Sequence, residues 1–261
     1  MVQISFKGRQ RTVPSCVDEL TPVQYAKLLN ASMLYDRGII SEEDLRRAIL
    51  SMMAGVTDYT IYREPVRSEM EGQLQVTADF LTTDQNGATR VALASCRNLL
   101  PEYHGWKGPG DMFNGISFGQ FLEALDHYTA ANDAETGQEA NREWEELTRA
   151  LYSSPTETVR PPVPLVVHCA TYFSTVWHQI ATELVTIGGK EIDFTIIFKS
   201  SGGRAQYDDH TGWAGVVMEV AKDGPFGKKA DVDGSPFWDV MLYLYKCKFE
   251  YLHQKKTKPK K

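Results

Sequence analysis

At 261 residues the chain is long enough for one large domain or two small ones with a sizeable core. Its 42% hydrophobic and 24% charged residues exclude wholesale disorder, and a formal net charge of -6 excludes a protein whose whole surface binds nucleic acid. Cys16, Cys96, Cys169 and Cys247 lack any paired spacing, so reduced thiols are expected rather than a disulfide framework. The opening Met1–Phe6 meets Lys7-Gly8-Arg9 before an apolar core of useful length, which does not read as a signal peptide. Thr, His, Ser and charged residues interrupt every apolar run well short of about 20 residues, so no membrane span is expected.

Val2, Ile4 and Phe6 alternate with polar residues, Lys7-Gly8 offers a turn, and Gln10 to Val13 can return as a second strand before Pro14. Three helix starts follow. Thr21-Pro22-Val23-Gln24 and Ser117-Phe118-Gly119-Gln120 are capping boxes, each with an apolar pair (Leu20 with Tyr25, Ile116 with Phe121) placed to staple the first turn. Ser41 to Asp44 is a shorter-armed version. Helical spacing then gives stripes at Tyr25, Leu28, Leu29 and Met33, at Leu45 to Met53, at Phe118 to Tyr128, and at Trp144, Leu147 and Leu151. Later stripes run through Val166, Ala170, Phe173, Trp177, Ile180 and Leu184, and through Trp213, Val216, Val217 and Val220. The last passes Phe237, Val240, Met241, Leu244 and Cys247 to Tyr251.

Between the second and third capped starts, Leu74, Val76, Ala78 and Phe80 alternate, Asn86-Gly87 supplies a turn, and Val91 and Leu93 alternate again. This predicts a second hairpin within residues 74–94. Pro101 to Gly115 reads as loop, Asn132 to Gly137 as a polar break, and Pro155 to Pro164, with its four prolines, as a hinge. The expected fold is therefore mainly α (α+β): a multi-helix, bundle-like body with small antiparallel hairpins. Its expected parts are residues 1–154, residues 165–254 and a basic tail at 255–261.

Catalytic signals are weak throughout, and no enzyme, metal or cofactor is expected. A metal would have to use His168, Cys169 and His178, with Cys247 or His253, but zinc ligands come in close pairs and these do not. Asp208-Asp209-His210 is the most enzyme-like cluster and sits in a polar loop. Lys107-Gly108-Pro109-Gly110-Asp111 and Gly202-Gly203-Arg204 both miss the spacing that cradles phosphates. Lys255, Lys256, Lys258, Lys260 and Lys261 surround Pro259 as a tail whose first reading is a solvated end. The final helix carries more apolar surface than one face can bury, which makes Trp238, Tyr243, Tyr245 and Phe249 the candidate partner-binding residues.

Several of these segments together have a familiar cast. The opening hairpin with Pro14, Asp18 to Tyr25, Lys107 to Asp111 and Ile116 to Phe121 resemble stretches of phage and prophage tail-assembly proteins of Bacteroidetes-type phages. Leu147 to Tyr152, Tyr172-Phe173 to Trp177, Gly212-Trp213 and Pro225-Phe226-Gly227 continue that pattern of short motifs over most of the chain. The resemblance implies a non-enzymatic protein-binding factor, a tail-assembly chaperone. Its partners would be other phage proteins such as a tape-measure or tail protein, met in the host cytoplasm or in the virion. A virion structural protein (a connector or tail-completion protein), an enzyme or metal-binding protein, and a nucleic-acid binder are the alternatives.

Overall fold

A computed structural model describes residues 1–84, 87–156, 159–198 and 212–257. It is mainly helical with small two-stranded antiparallel sheets, as the sequence patterning predicts. Strands β1 (Val2–Phe6) and β2 (Arg9–Val13) form the first hairpin, with Phe6 opposite Arg9 across a two-residue turn. Lys7 and Gly8 both adopt positive φ there (54° and 67°), the turn geometry that matches strand twist. Ile4 and Phe6 point into the core.

The capped starts hold. In α1 (Pro22–Asp36), α2 (Glu42–Met53) and α4 (Phe118–Asp133) the predicted Thr21, Ser41 and Ser117 side chains accept from the backbone N–H three residues on, and the reciprocal bonds close each box. The short α3 (Val66–Glu71) lies between α2 and the second hairpin. A fourth box, Thr136 with Glu139, opens α5 (Gly137–Leu151) inside the segment read as a polar break. The remaining helices are α6 (Val163–Thr182), α7 (Thr195–Phe198), α8 (Gly212–Asp223), α9 (Lys229–Gly234) and α10 (Phe237–Thr257).

Two patterns resolve differently from the sequence reading. Leu74–Phe80 is a 3-10 helix rather than a strand. The buried Thr77 and Phe80, with half-buried Leu74, repeat every three residues, the period at which 3-10 side chains eclipse, and Thr77 Oγ1 donates to the Leu74 carbonyl at 2.7 Å. The second hairpin is made by β3 (Leu81–Thr83) and β4 (Thr89–Val91), while Asn86 of its expected turn lies outside the described residues. Pro101 to Gly115 is not all loop: β5 (Glu102–Tyr103) and β6 (Trp106–Lys107) pair, and a 3-10 turn occupies Asp111–Phe113. A last hairpin, β7 (Val185–Ile187) with β8 (Lys190–Ile192), follows α6.

The core is one cluster reaching from Ile4 to Met241, with residues from both sides of the proline-rich 155–164 segment. Phe113 sits among its rings, its centroid 5.2–6.1 Å from those of Phe121, Tyr172, Phe173 and Phe237. Helix α6 buries Leu165, Cys169, Tyr172, Phe173, Val176 and Ile180. That is a face rotated from the predicted row, so Val166 and Ala170 stay half-buried and Leu184 is exposed beyond the helix end. Among the described residues no helix is long and apolar enough to cross a membrane.

Candidate functional site

The most polar place in the core is built around His168, and it is fully satisfied. Asn98 fixes its orientation because its Nδ2 donates to the Pro109 carbonyl at 2.7 Å, which leaves Oδ1 as an acceptor facing the histidine. His168 Nε2, 2.9 Å from that oxygen, must therefore carry the ring proton, and Nδ1 accepts from the Tyr25 hydroxyl at 3.1 Å. Asn98 Oδ1 also accepts from the Leu100 N–H and the Tyr152 hydroxyl, each at 3.0 Å. The Tyr172 hydroxyl, beneath the stacked His168 ring, accepts from the Phe113 N–H and donates to the Gly110 carbonyl.

Four segments distant in sequence meet at this network: α1, the 98–113 loop, the end of α5, and α6. Burial pushes the His168 pKa from 6.5 down to about 3, so the ring is neutral at pH 7. Both ring nitrogens are engaged inside the protein, which makes the residue a structural pin. Cys169 is buried, with its thiol pushed up to about 12, while His178 is exposed on another face of α6. The exposed His178 thus stands apart from the buried His168 and Cys169. Among the described residues no group of three or more His, Cys, Asp or Glu side chains is placed to hold a metal. Asp208, Asp209, His210 and Gly202 to Arg204 lie outside the described residues.

Helix α10 is positioned by an antiparallel bridge between Ser117 and Pro236, in which Phe118 N donates to Ser235 O and Phe237 N to Ile116 O. Its first turns are core: Phe237, Val240 and Met241 are buried. The four candidate contact residues do not form one surface. Trp238 is turned inward, its ring against Phe194 and Phe237 and its Nε1 donating to the Met112 carbonyl at 2.8 Å. Tyr243 packs edge-on to Phe226 on another side of the helix. Tyr245 is half-buried against Phe194, and Phe249 continues its row outward, 43% exposed, with the His253 ring 4.0 Å away.

A second row on the same helix, Leu244, Cys247 and Tyr251, lines a groove of about 570 Å³ completed by Ile197 and Phe198 of α7 and by Trp213 and Val216 of α8. Sequence reading placed these α10 residues on a core stripe. That stripe is core only as far as Met241, and Tyr251 at its outer end is 45% exposed. A further apolar groove was missed altogether. Trp144 of α5 and Val163, Val166, Val167 and Ala170 of α6 line about 520 Å³, and the Arg160–Glu145 ion pair stands at its edge. The signal was present: α6 is apolar nearly all round, so one row had to be left over once the other faced inward.

Compared with known proteins, the chain matches no family model, no curated protein and no solved structure.

Proposed function

We propose that this protein is a non-enzymatic protein-binding factor in bacteriophage particle assembly, acting as a tail-assembly chaperone that holds an apolar segment of a tail protein. The observation that carries the binding reading is the outer half of α10. There Leu244, Cys247 and Tyr251 on one face, and Tyr245 and Phe249 on a separate face, extend apolar surface past the last buried residue of the helix. Helix-in-groove capture works through such rows at spacings of three and four residues, by burial rather than chemistry. The neutral, enclosed His168 and the protonated Cys169 fit a body whose polar centre serves the fold. The assignment to phage assembly rests on the sequence resemblance.

Tagged protein recovered from its own host during phage production should bring down a long helical tail protein and be missing from finished particles. Stoichiometric presence in finished particles would instead favour the virion structural reading. Tyr245→Ser combined with Phe249→Ser should weaken capture at least about 30-fold, since aromatic anchors at interface centres each contribute about 2 kcal/mol or more. Because Tyr245 also packs on Phe194, Phe249→Ser alone is the companion variant: it removes a ring that lies 43% exposed beyond the core and should keep the melting temperature within a few degrees. Undiminished capture by both variants would remove α10 from the site.

A further inference from the structure

Helix α6 leaves its outward apolar row in a groove rather than on a flat surface. The cavity of about 520 Å³ beside Val163, Val166 and Val167 shares Trp144, Ala170 and Thr171 with a neighbour of about 350 Å³ that reaches Tyr128, Asn132 and Thr175. Together they make one trough along α6 from Val163 to Thr175, about 18 Å of helix axis or roughly three turns. Val163 is 54% exposed at one end, and the Trp144 wall is braced by the Tyr128 ring 5.8 Å away. Most polar groups along it are already used. Thr171 and Thr175 donate their hydroxyls to the carbonyls of Val167 and Thr171, at 3.0 and 2.8 Å. Ser174 meets the Tyr128 hydroxyl at 3.3 Å, and Asn132 donates to the Tyr128 carbonyl at 2.7 Å. Of the three charged side chains in the lining, Glu145 and Arg160 neutralise each other at 2.6 Å, whereas Arg37 has no ion-pair partner among the described residues. Arg37 lies in the cavity at the amino end of α6, where Pro162 supplies no side-chain cap and the helix end adds positive potential.

We infer that this trough holds an amphipathic helix of a partner protein, laid antiparallel to α6, whose last turn carries a carboxylate facing Arg37. The floor is built of small side chains (Val167, Ala170 and Ser174), so the backbone of a second helix can approach as closely as about 8 Å between axes. Apolar anchors spaced three and four residues apart on the incoming helix match a trough of this length. Its carboxyl-terminal end then meets the amino end of α6, which sets opposite helix ends together and brings the acidic group to the one unpaired cation of the lining. A second copy of this chain fits less well. The exposed apolar helix end it could insert, the outer α10, carries Lys246 and Lys248 beside Leu244 and Tyr251 and would bring like charge to Arg37. The trough is separate from that α10 surface, and the inference stands whether or not α10 captures a tail protein.

The test is fluorescence anisotropy of the full chain with a synthetic helix of about 15 residues, leucines spaced three and four apart, a glutamate in the last turn and the label at the amino end. Binding is expected at about 100 µM or tighter. The same peptide with lysine in place of that glutamate should bind at least about tenfold more weakly, and Arg37→Glu should reverse the order of the two. Such a reversal is a readout that general damage to the fold cannot give. Val163→Glu sets a charge in the trough at an exposed first-turn position where an acidic side chain suits the helix. It should keep the melting temperature within a few degrees and weaken the glutamate peptide at least about tenfold. No binding of that peptide at about 1 mM, or a peptide order that Arg37→Glu leaves unchanged, would overturn the site. So would binding lost on Tyr245→Ser with Phe249→Ser but kept on Val163→Glu, which would place the peptide on α10. Dimerisation of the chain alone, abolished by Val163→Glu, would seat a second copy in the trough and overturn the partner helix.

Discussion

His168 makes the stability of this protein depend on pH in a window where few other groups act. In the unfolded chain its imidazole takes a proton near the ordinary 6.5, while in the folded protein burial holds it to about 3. The folded state therefore refuses a proton that the unfolded state accepts. Stability is complete above about pH 6.5 and drains away as pH falls from there towards about 3. At 1.36 kcal/mol per pH unit of that gap, moving from about pH 7.5 to about pH 5 should cost about 2 kcal/mol. Glu42, held below the usual carboxylate range by the Thr89 hydroxyl and Arg46, and Asp44, held there by Ser41, lose their contributions only at lower pH. Urea unfolding followed by tryptophan fluorescence at several pH values reads the slope directly. His168→Gln keeps a donor for Asn98 but cannot titrate. It should lower stability at pH 7.5 by about 1–3 kcal/mol through the lost Tyr25 contact and then show little further decline to about pH 5. If the unmodified protein is equally stable at both ends, or the variant declines as steeply, the ring is not the enclosed neutral group described.

Two further substitutions probe the same centre from its loop. At Gly108 an added Cβ would stand 2.2 Å from the Tyr152 ring, which is itself buried and hydrogen-bonded to Asn98, so Gly108→Ala should cost about 2–3 kcal/mol by urea unfolding. A loss under about 0.5 kcal/mol would mean the loop can move off the ring. Trp238→Phe removes the indole donor to the Met112 carbonyl, next to two residues, Met112 and Phe113, held at positive φ (54° and 60°). It should destabilise by about 1–2 kcal/mol while leaving partner capture intact, and lost capture without lost stability would return Trp238 to the binding surface.

Local chemistry was legible wherever it closed within a few residues. A capping box spans three residues, so Thr21, Ser41 and Ser117 declared their helices without reference to anything distant, and Thr136 with Glu139 carried the same readable signal. The first hairpin was equally self-contained, since Lys7-Gly8 fixes the register that sends Ile4 and Phe6 inward. Patterns open to more than one period were not. Residues 74–80 satisfy an alternation of two and a repeat of three, and only packing against α2 selected the second. Helix α6 carries two apolar rows a residue apart, and the one that faces inward is the one whose Tyr172 meets the Phe113 ring and whose neighbour His168 meets Tyr25.

By itself the sequence determined the helix starts, the first hairpin, the mainly helical class and the surplus of apolar surface on the last helix, because each follows from hydrogen bonds or spacing within a few turns. Tertiary structure alone decided that Tyr25, Asn98, Tyr152 and His168 meet, across separations of 54 to 143 residues. It also decided that Trp238 and Tyr243 turn into the body while Phe249 stays out. The physical reason is that side-chain burial and polar satisfaction are settled between segments, and a helix's own periodicity is the same whichever of its apolar rows finds a partner.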